Sequence, residues 1–78
     1  MHRAMNHNYT IIGKVKTGKK SKVEYELAKF TNISNAVITK NKFSANVQVH
    51  FDATLFDLQN EIGGGYSDYK IEKVILIN

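Results

Sequence analysis

The chain has no cysteine, no proline and no tryptophan. Without cysteine there is no disulfide framework, no thiol nucleophile and no thiolate site for zinc or iron–sulfur. Long apolar runs are also missing. The longest, Val74 to Ile77, falls far short of the about 18–20 residues a membrane span needs. Met1 to Asn8 is polar and contains no apolar core of a signal peptide, so a cytoplasmic location is expected. At 78 residues there is room for one domain, which would bury only about 60–65% of its unfolded surface. Hydrophobic content of 42% and charged content of 23% fit a globular chain rather than a disordered one.

Motifs that carry chemistry are also lacking. The run Gly63-Gly64-Gly65 closes a helical pattern, whereas a phosphate loop would open one, and its spacing fits no dinucleotide fingerprint. His2 and His7 lie in the N-terminal stretch and His50 on a polar strand face, with no spacing that converges ligands on a metal. Glu24 and Glu26 are close together, but paired-carboxylate catalysis needs a cleft between elements, for which a sheet with one helix has little room. Ser21, Ser34, Ser44 and Ser67 sit in no nucleophile motif. The triplets Asn8-Tyr9-Thr10 and Asn32-Ile33-Ser34 read as chance matches to a glycosylation site. No catalytic residue, cofactor or metal is expected, and the chain reads as a binding protein rather than an enzyme.

The hydrophobic pattern predicts residues 1–8 as a disordered tail and 9–78 as a single α+β domain. Tyr9 to Lys16 is a strand with Ile11, Gly13 and Val15 on one face and Thr10, Ile12, Lys14 and Lys16 on the other. Thr17 to Lys20 has hairpin-loop length. Lys22 to Ala28 alternates completely, which reads as a half-buried strand. The same residues allow a helix: Ser21-x-x-Glu24 is a capping-box pattern, and Val23, Leu27 and Phe30 have helical spacing. Thr31 to Asn35 is a turn cluster, Ala36 to Lys40 a short strand, and Phe43 to Phe51 the clearest strand. Leu55, Leu58 and Ile62 form one helical stripe, capped by Thr54-x-x-Asp57 or Asp52. Tyr69 to Ile77 is apolar on both faces towards its end and reads as an interior strand. The expected order is β-β-β-β-α-β, an antiparallel sheet of four to five strands with one helix on it. The alternative is β-α-β-β-α-β, a ferredoxin-like arrangement. The expected core is Phe43, Val47, Val49, Phe51, Leu55, Leu58 and Ile62.

Charge is the most informative feature present. Of the net +4, residues 14–42 carry +6, residues 43–78 carry −3, and Arg3 adds the remainder. Alternate turns of a meander fall at one end of the sheet. Lys16, Lys19, Lys20, Lys22, Lys40 and Lys42 are therefore expected there, with Tyr66 and Tyr69 as aromatic faces and Glu61 and Asp68 as the nearby acids. Lys70 and Lys73 are expected away from these turns. Lysines meet phosphates and tyrosines stack on bases, so this end reads as an interface for nucleic acid or a nucleoprotein complex. An acidic protein surface is the other partner with complementary charge. The alternative reading is an inhibitor of phage or mobile-element type that blocks a host protein complex, for example a CRISPR effector, by protein–protein contact. Neither reading involves a membrane.

Overall fold

The computed structural model of the chain describes residues 6–62 and 68–77. Six elements follow in order: β1 (His7–Val15), α1 (Lys20–Ala28), β2 (Ile33–Thr39), β3 (Lys42–Val49), α2 (Leu55–Ile62) and β4 (Tyr69–Leu76). The strands form one antiparallel sheet in the spatial order β2-β3-β1-β4. The class is α+β, with a four-stranded sheet and two helices.

Alternation along β1 and β3 sets the layers. Tyr9, Ile11, Gly13 and Val15 of β1 are buried, as are Phe43, Ala45, Val47 and Val49 of β3. Val23 and Leu27 of α1, Ile38 of β2, Leu58 and Ile62 of α2, and Tyr69 and Ile71 of β4 complete that core. The intervening residues of the strands line the opposite face of the sheet, which no described element covers. α2 begins with a reciprocal cap: the Thr54 N–H donates to Asp57 Oδ2 at 2.9 Å and the Asp57 N–H to Thr54 Oγ1 at 3.1 Å. Tyr9 ties the preceding connection down, its hydroxyl accepting from the Ala53 N–H at 2.9 Å and donating to Asp52 Oδ1 at 3.3 Å.

Five expectations need correction. First, Lys20–Ala28 is helix, not strand, so the meander order β-β-β-β-α-β with one helix does not hold. Val23 and Leu27 are four residues apart, a spacing that suits either period. Tyr25 decides: the strand reading turns it inwards, and it is 67% exposed. The capping pattern at Ser21 plays no part, since Lys19 occupies the cap position without a side-chain hydrogen bond. Second, β2 starts at Ile33, inside the expected turn cluster, and absorbs Asn35 at φ 53 where its pairing with β3 shifts register. Third, β4 is an edge strand rather than an interior one, and its apolar end, Ile75, Leu76 and Ile77, is exposed. Fourth, Phe51 and Leu55 lie outside the core at 42% and 37% exposure. In their place α2 buries Gln59, whose Oε1 accepts from the Ile71 N–H at 2.6 Å and so satisfies part of the β4 backbone. The expected tail is also too long, because His7 and Asn8 belong to β1. Residues 1–5 and Gly63–Gly65 lie outside the described residues.

Gly13 shows how tightly the sheet is built. Opposite it, β4 carries one extra residue: Ile12 pairs with Lys73 and Gly13 with Ile71, leaving Glu72 as the bulge. A Cβ on Gly13 would overlap the Lys70 carbonyl and stand 2.5 Å from Phe43 Cε1. Gly13→Ala is expected to destabilise the domain by about 1–3 kcal/mol through overpacking, measured as a lower urea midpoint at unchanged m-value.

Candidate functional site

Both edges of β1 end in lysine. Lys14 lies opposite Lys42 of β3 on one side and Lys70 of β4 on the other. Just beyond, the Val15 N–H donates to the Asn41 carbonyl at 2.7 Å and the Lys16 N–H to the Asp68 carbonyl at 2.8 Å. These bonds hold the β2–β3 turn and the start of β4 against the end of β1. The chain then turns through Thr17 and Gly18 into α1, whose first residues are Lys20, Ser21 and Lys22. Lysines at 14, 16, 19, 20, 22, 40, 42 and 70 therefore share one end of the domain. Among the described residues two carboxylates are paired there, Asp68 with Lys22 and Glu72 with Lys14.

Several of these lysines occupy positions where the fold prefers something else. A helix N-terminus carries partial positive charge and favours acids in its first turn, yet α1 has none there. Like charges directly opposite across strands are destabilising, yet Lys42, Lys14 and Lys70 lie side by side. The two-residue turn between Thr39 and Lys42 sets Lys40 at φ 54, a left-handed conformation suited to glycine or asparagine. Each feature adds positive potential at a small cost in stability, a pattern common where a surface serves a ligand.

Asp68 is the main counterweight. Its carboxylate meets Lys22 Nζ at 2.8 Å while its side chain is only 11% exposed. The Lys22 hydrogen bond, with further help from the charges of Lys22, Lys19 and Lys16, holds the Asp68 carboxyl below its usual range despite burial. The same bond holds Lys22 above its ordinary value. Asp68 itself lines a hollow of about 420 Å³ together with Lys14, Val15, Lys16, Thr17, Tyr69 and Lys70.

Lys16, Lys19, Lys20, Lys22, Lys40 and Lys42 come to one end, as expected, although the two connections reach it by a different route. The aromatic part of the expectation changes. Tyr69 is 6% exposed, packs edge-on to Phe43 with ring centroids 5.9 Å apart, and donates its hydroxyl to the Ile62 carbonyl. It offers no free face for stacking, and burial pushes its phenol pKa up. Tyr66 lies outside the described residues. Glu61 lines a different hollow, with Gln48, His50 and Phe51, towards the opposite end of β3. Lys70, expected away from the turns, belongs to the lysine end, and Lys14 joins it. Lys14 was legible from parity, since it alternates with Thr10 and Ile12; Lys70 depended on the register of β4.

Among the described residues no group of acids and histidines is placed to hold a metal ion, and no helix is long and apolar enough to cross a membrane. No protein-family model, curated protein or solved structure matches the chain.

The Lys22–Asp68 pair predicts a defined pH window. A depressed carboxyl contributes stability above its unfolded pKa of about 3.9 and loses it as pH falls through the lower folded value. A raised lysine contributes below its unfolded pKa of about 10.4 and loses it as pH rises through the folded value. Asp68→Asn is therefore expected to be less stable than the parent at neutral pH, with the difference vanishing in strong acid. Urea unfolding from about pH 2 to pH 7 measures this, and a constant difference would contradict it.

Proposed function

We propose that this is a small non-catalytic binding protein whose lysine-rich end engages nucleic acid, free or within a nucleoprotein complex. The observation that carries this reading is the assembly of lysines from β1, α1, the β2–β3 turn and β4 at one end, with Asp68 and Glu72 as their paired acids. Phosphate is the ligand group such a surface suits best: lysine binds it as a point charge, and the released counterions drive association. Stacking contributes little to this reading, because Tyr69 is committed to the core. The same proposal takes the fold as ferredoxin-like, with β1-α1-β2 and β3-α2-β4 as two split units whose strands interleave. That arrangement brings the ends of β1 and β2 and the starts of β3 and β4 to one side, where the lysines are. A cytoplasmic setting is part of the proposal, since nucleic acid and acidic complexes are accessible there.

Binding to labelled nucleic acid, followed against salt, tests the reading. Four engaged lysines give a log–log slope of about −3. Lys19→Glu with Lys20→Glu is expected to flatten that slope while leaving the melting temperature nearly unchanged. Lys29→Glu removes positive charge at the other end of α1, where Lys29 already pairs with Glu26 at 3.4 Å, and is expected to matter little per charge reversed. Equal losses per charge at both places would show that only net charge is felt. No binding at about 50 mM salt would overturn the proposal.

A further inference from the structure

The lysine row continues onto a surface that the helices leave uncovered. α1 and α2 pack on one side of the sheet, and on the other the side chains follow in register. The row Lys42, Lys14, Lys70 is succeeded by Ser44, Ile12, Lys73 and then by Asn46, Thr10, Ile75. The polar groups there form a neutral, hydrogen-bonded floor: Thr10 Oγ1 donates to Asn46 Oδ1 at 3.0 Å and Gln48 Nε2 to Asn8 Oδ1 at 3.2 Å. Four lysines and one carboxylate, Glu72, line this face among the described residues, and Glu72 is already 3.5 Å from Lys14. Nothing else described in the fold uses the charge of the row.

We propose that this uncovered sheet face is a binding surface for single-stranded nucleic acid, with phosphates on the Lys42–Lys14–Lys70 row and bases over the Ser44, Asn46 and Thr10 floor. It rests on the reading of the lysine-rich end as a nucleic-acid interface and names the class of ligand. Charge complementarity selects the occupant. Paired residues of adjacent antiparallel strands are about 4.5–5.5 Å apart, so the three lysines give a line of positive charge about 10 Å long. A polyphosphate chain matches such a line, and the hollow beside it brings in Lys16, with the Asp68 carboxylate in its lining already paired to Lys22. Width selects the single strand. Strands lie about 4.8 Å apart, so a four-stranded face is broader than the about 12 Å major groove, which admits a helix or a two-stranded ribbon. Base edges reach this floor only when they are unpaired. With no aromatic ring among the row and floor residues, contact rests on phosphates and hydrogen bonds, which makes binding salt-sensitive and only weakly selective for sequence.

The test compares oligothymidylate of about 15 nucleotides with a duplex of equal length, using the full chain. The triple variant Lys14→Gln, Lys42→Gln, Lys70→Gln removes three phosphate contacts. The log–log slope for the single strand is expected to fall by about 2, and its affinity by about 100-fold at 0.1 M salt. The melting temperature should hold or rise, because opposed like charges are relieved; a lysine row that only supported the fold would lower it. Titration of the unaltered protein supplies a readout free of mutation: amide shifts at Thr10, Ser44 and Asn46 are expected on adding oligothymidylate. Loss of binding in Lys19→Gln/Lys20→Gln together with full binding in the triple variant would overturn the sheet face and leave the lysine-rich end standing. Duplex binding as tight as single-strand binding, or an absence of shifts on the floor despite binding, would also overturn it. Failure to bind either nucleic acid would overturn both readings.

Discussion

β1 is paired along both edges, with β3 on one side and β4 on the other. β3 is paired along both edges too, with β2 as its other neighbour, so the two strands form the interior of the sheet, and β1 is the one that also holds β4. Its inward residues supply the middle of the core, and Gly13 lets the β4 backbone and the Phe43 ring close to a distance that no larger residue permits. The bulge at Glu72 changes which β4 residues face the core, so Ile71 and Val74 both turn towards it although three positions apart. A slip of one residue on either edge would expose one set of side chains and bury the other. The pairing that satisfies the core therefore also sets Lys14 between Lys42 and Lys70.

The charge distribution follows from topology. Two connections and two strand ends meet where β1 finishes, and each brings lysine. The resulting field is partly offset by Asp68, whose near-buried carboxylate anchors Lys22 and lies within reach of the Lys19 and Lys16 charges. The rest faces solvent, where exposed pairs such as Lys14 with Glu72 are worth little, about 0–1 kcal/mol. A surface built this way attracts polyanions over a range of about one Debye length, roughly 8–10 Å at physiological salt. The opposite end is apolar by contrast, with Phe51, Phe56, Leu76 and Ile77 exposed.

Sheet edges are handled unequally. β2 carries a bulge around Asn35 and polar side chains, both of which discourage pairing with another strand. β4 has Gln59 accepting from Ile71 near its start, while its far end presents Ile75 and Leu76. Gln59 is also the one buried polar side chain with an atom, Nε2, that has no partner among the described residues. It stands outside the apolar stripe of α2, because its place in the core is due to a backbone N–H that needs an acceptor.

Some of this was readable in the residues alone. Strict alternation places Phe43, Ala45, Val47 and Val49 on one face wherever β3 pairs, and the reciprocal Thr54–Asp57 cap needs only its own spacing. The absence of cysteine excludes thiol chemistry in any fold, and the concentration of lysine between residues 14 and 42 is a property of the chain itself. Other features were decided by partners distant in sequence. Val23 and Leu27 suit a strand or a helix equally, and only packing against β2 and the sheet chose the helix. Tyr69 could be a stacking platform or a core residue until Phe43 and Ile62 enclosed it. Phe51 and Leu55 fit the apolar pattern, but the turn out of β3 carries them past the edge of the core. Local sequence determines which faces are apolar and which turns are basic, because those depend on neighbours in the chain; which basic turns meet, and what lies beside Lys14, depends on strand pairing between residues far apart, which tertiary structure alone decides.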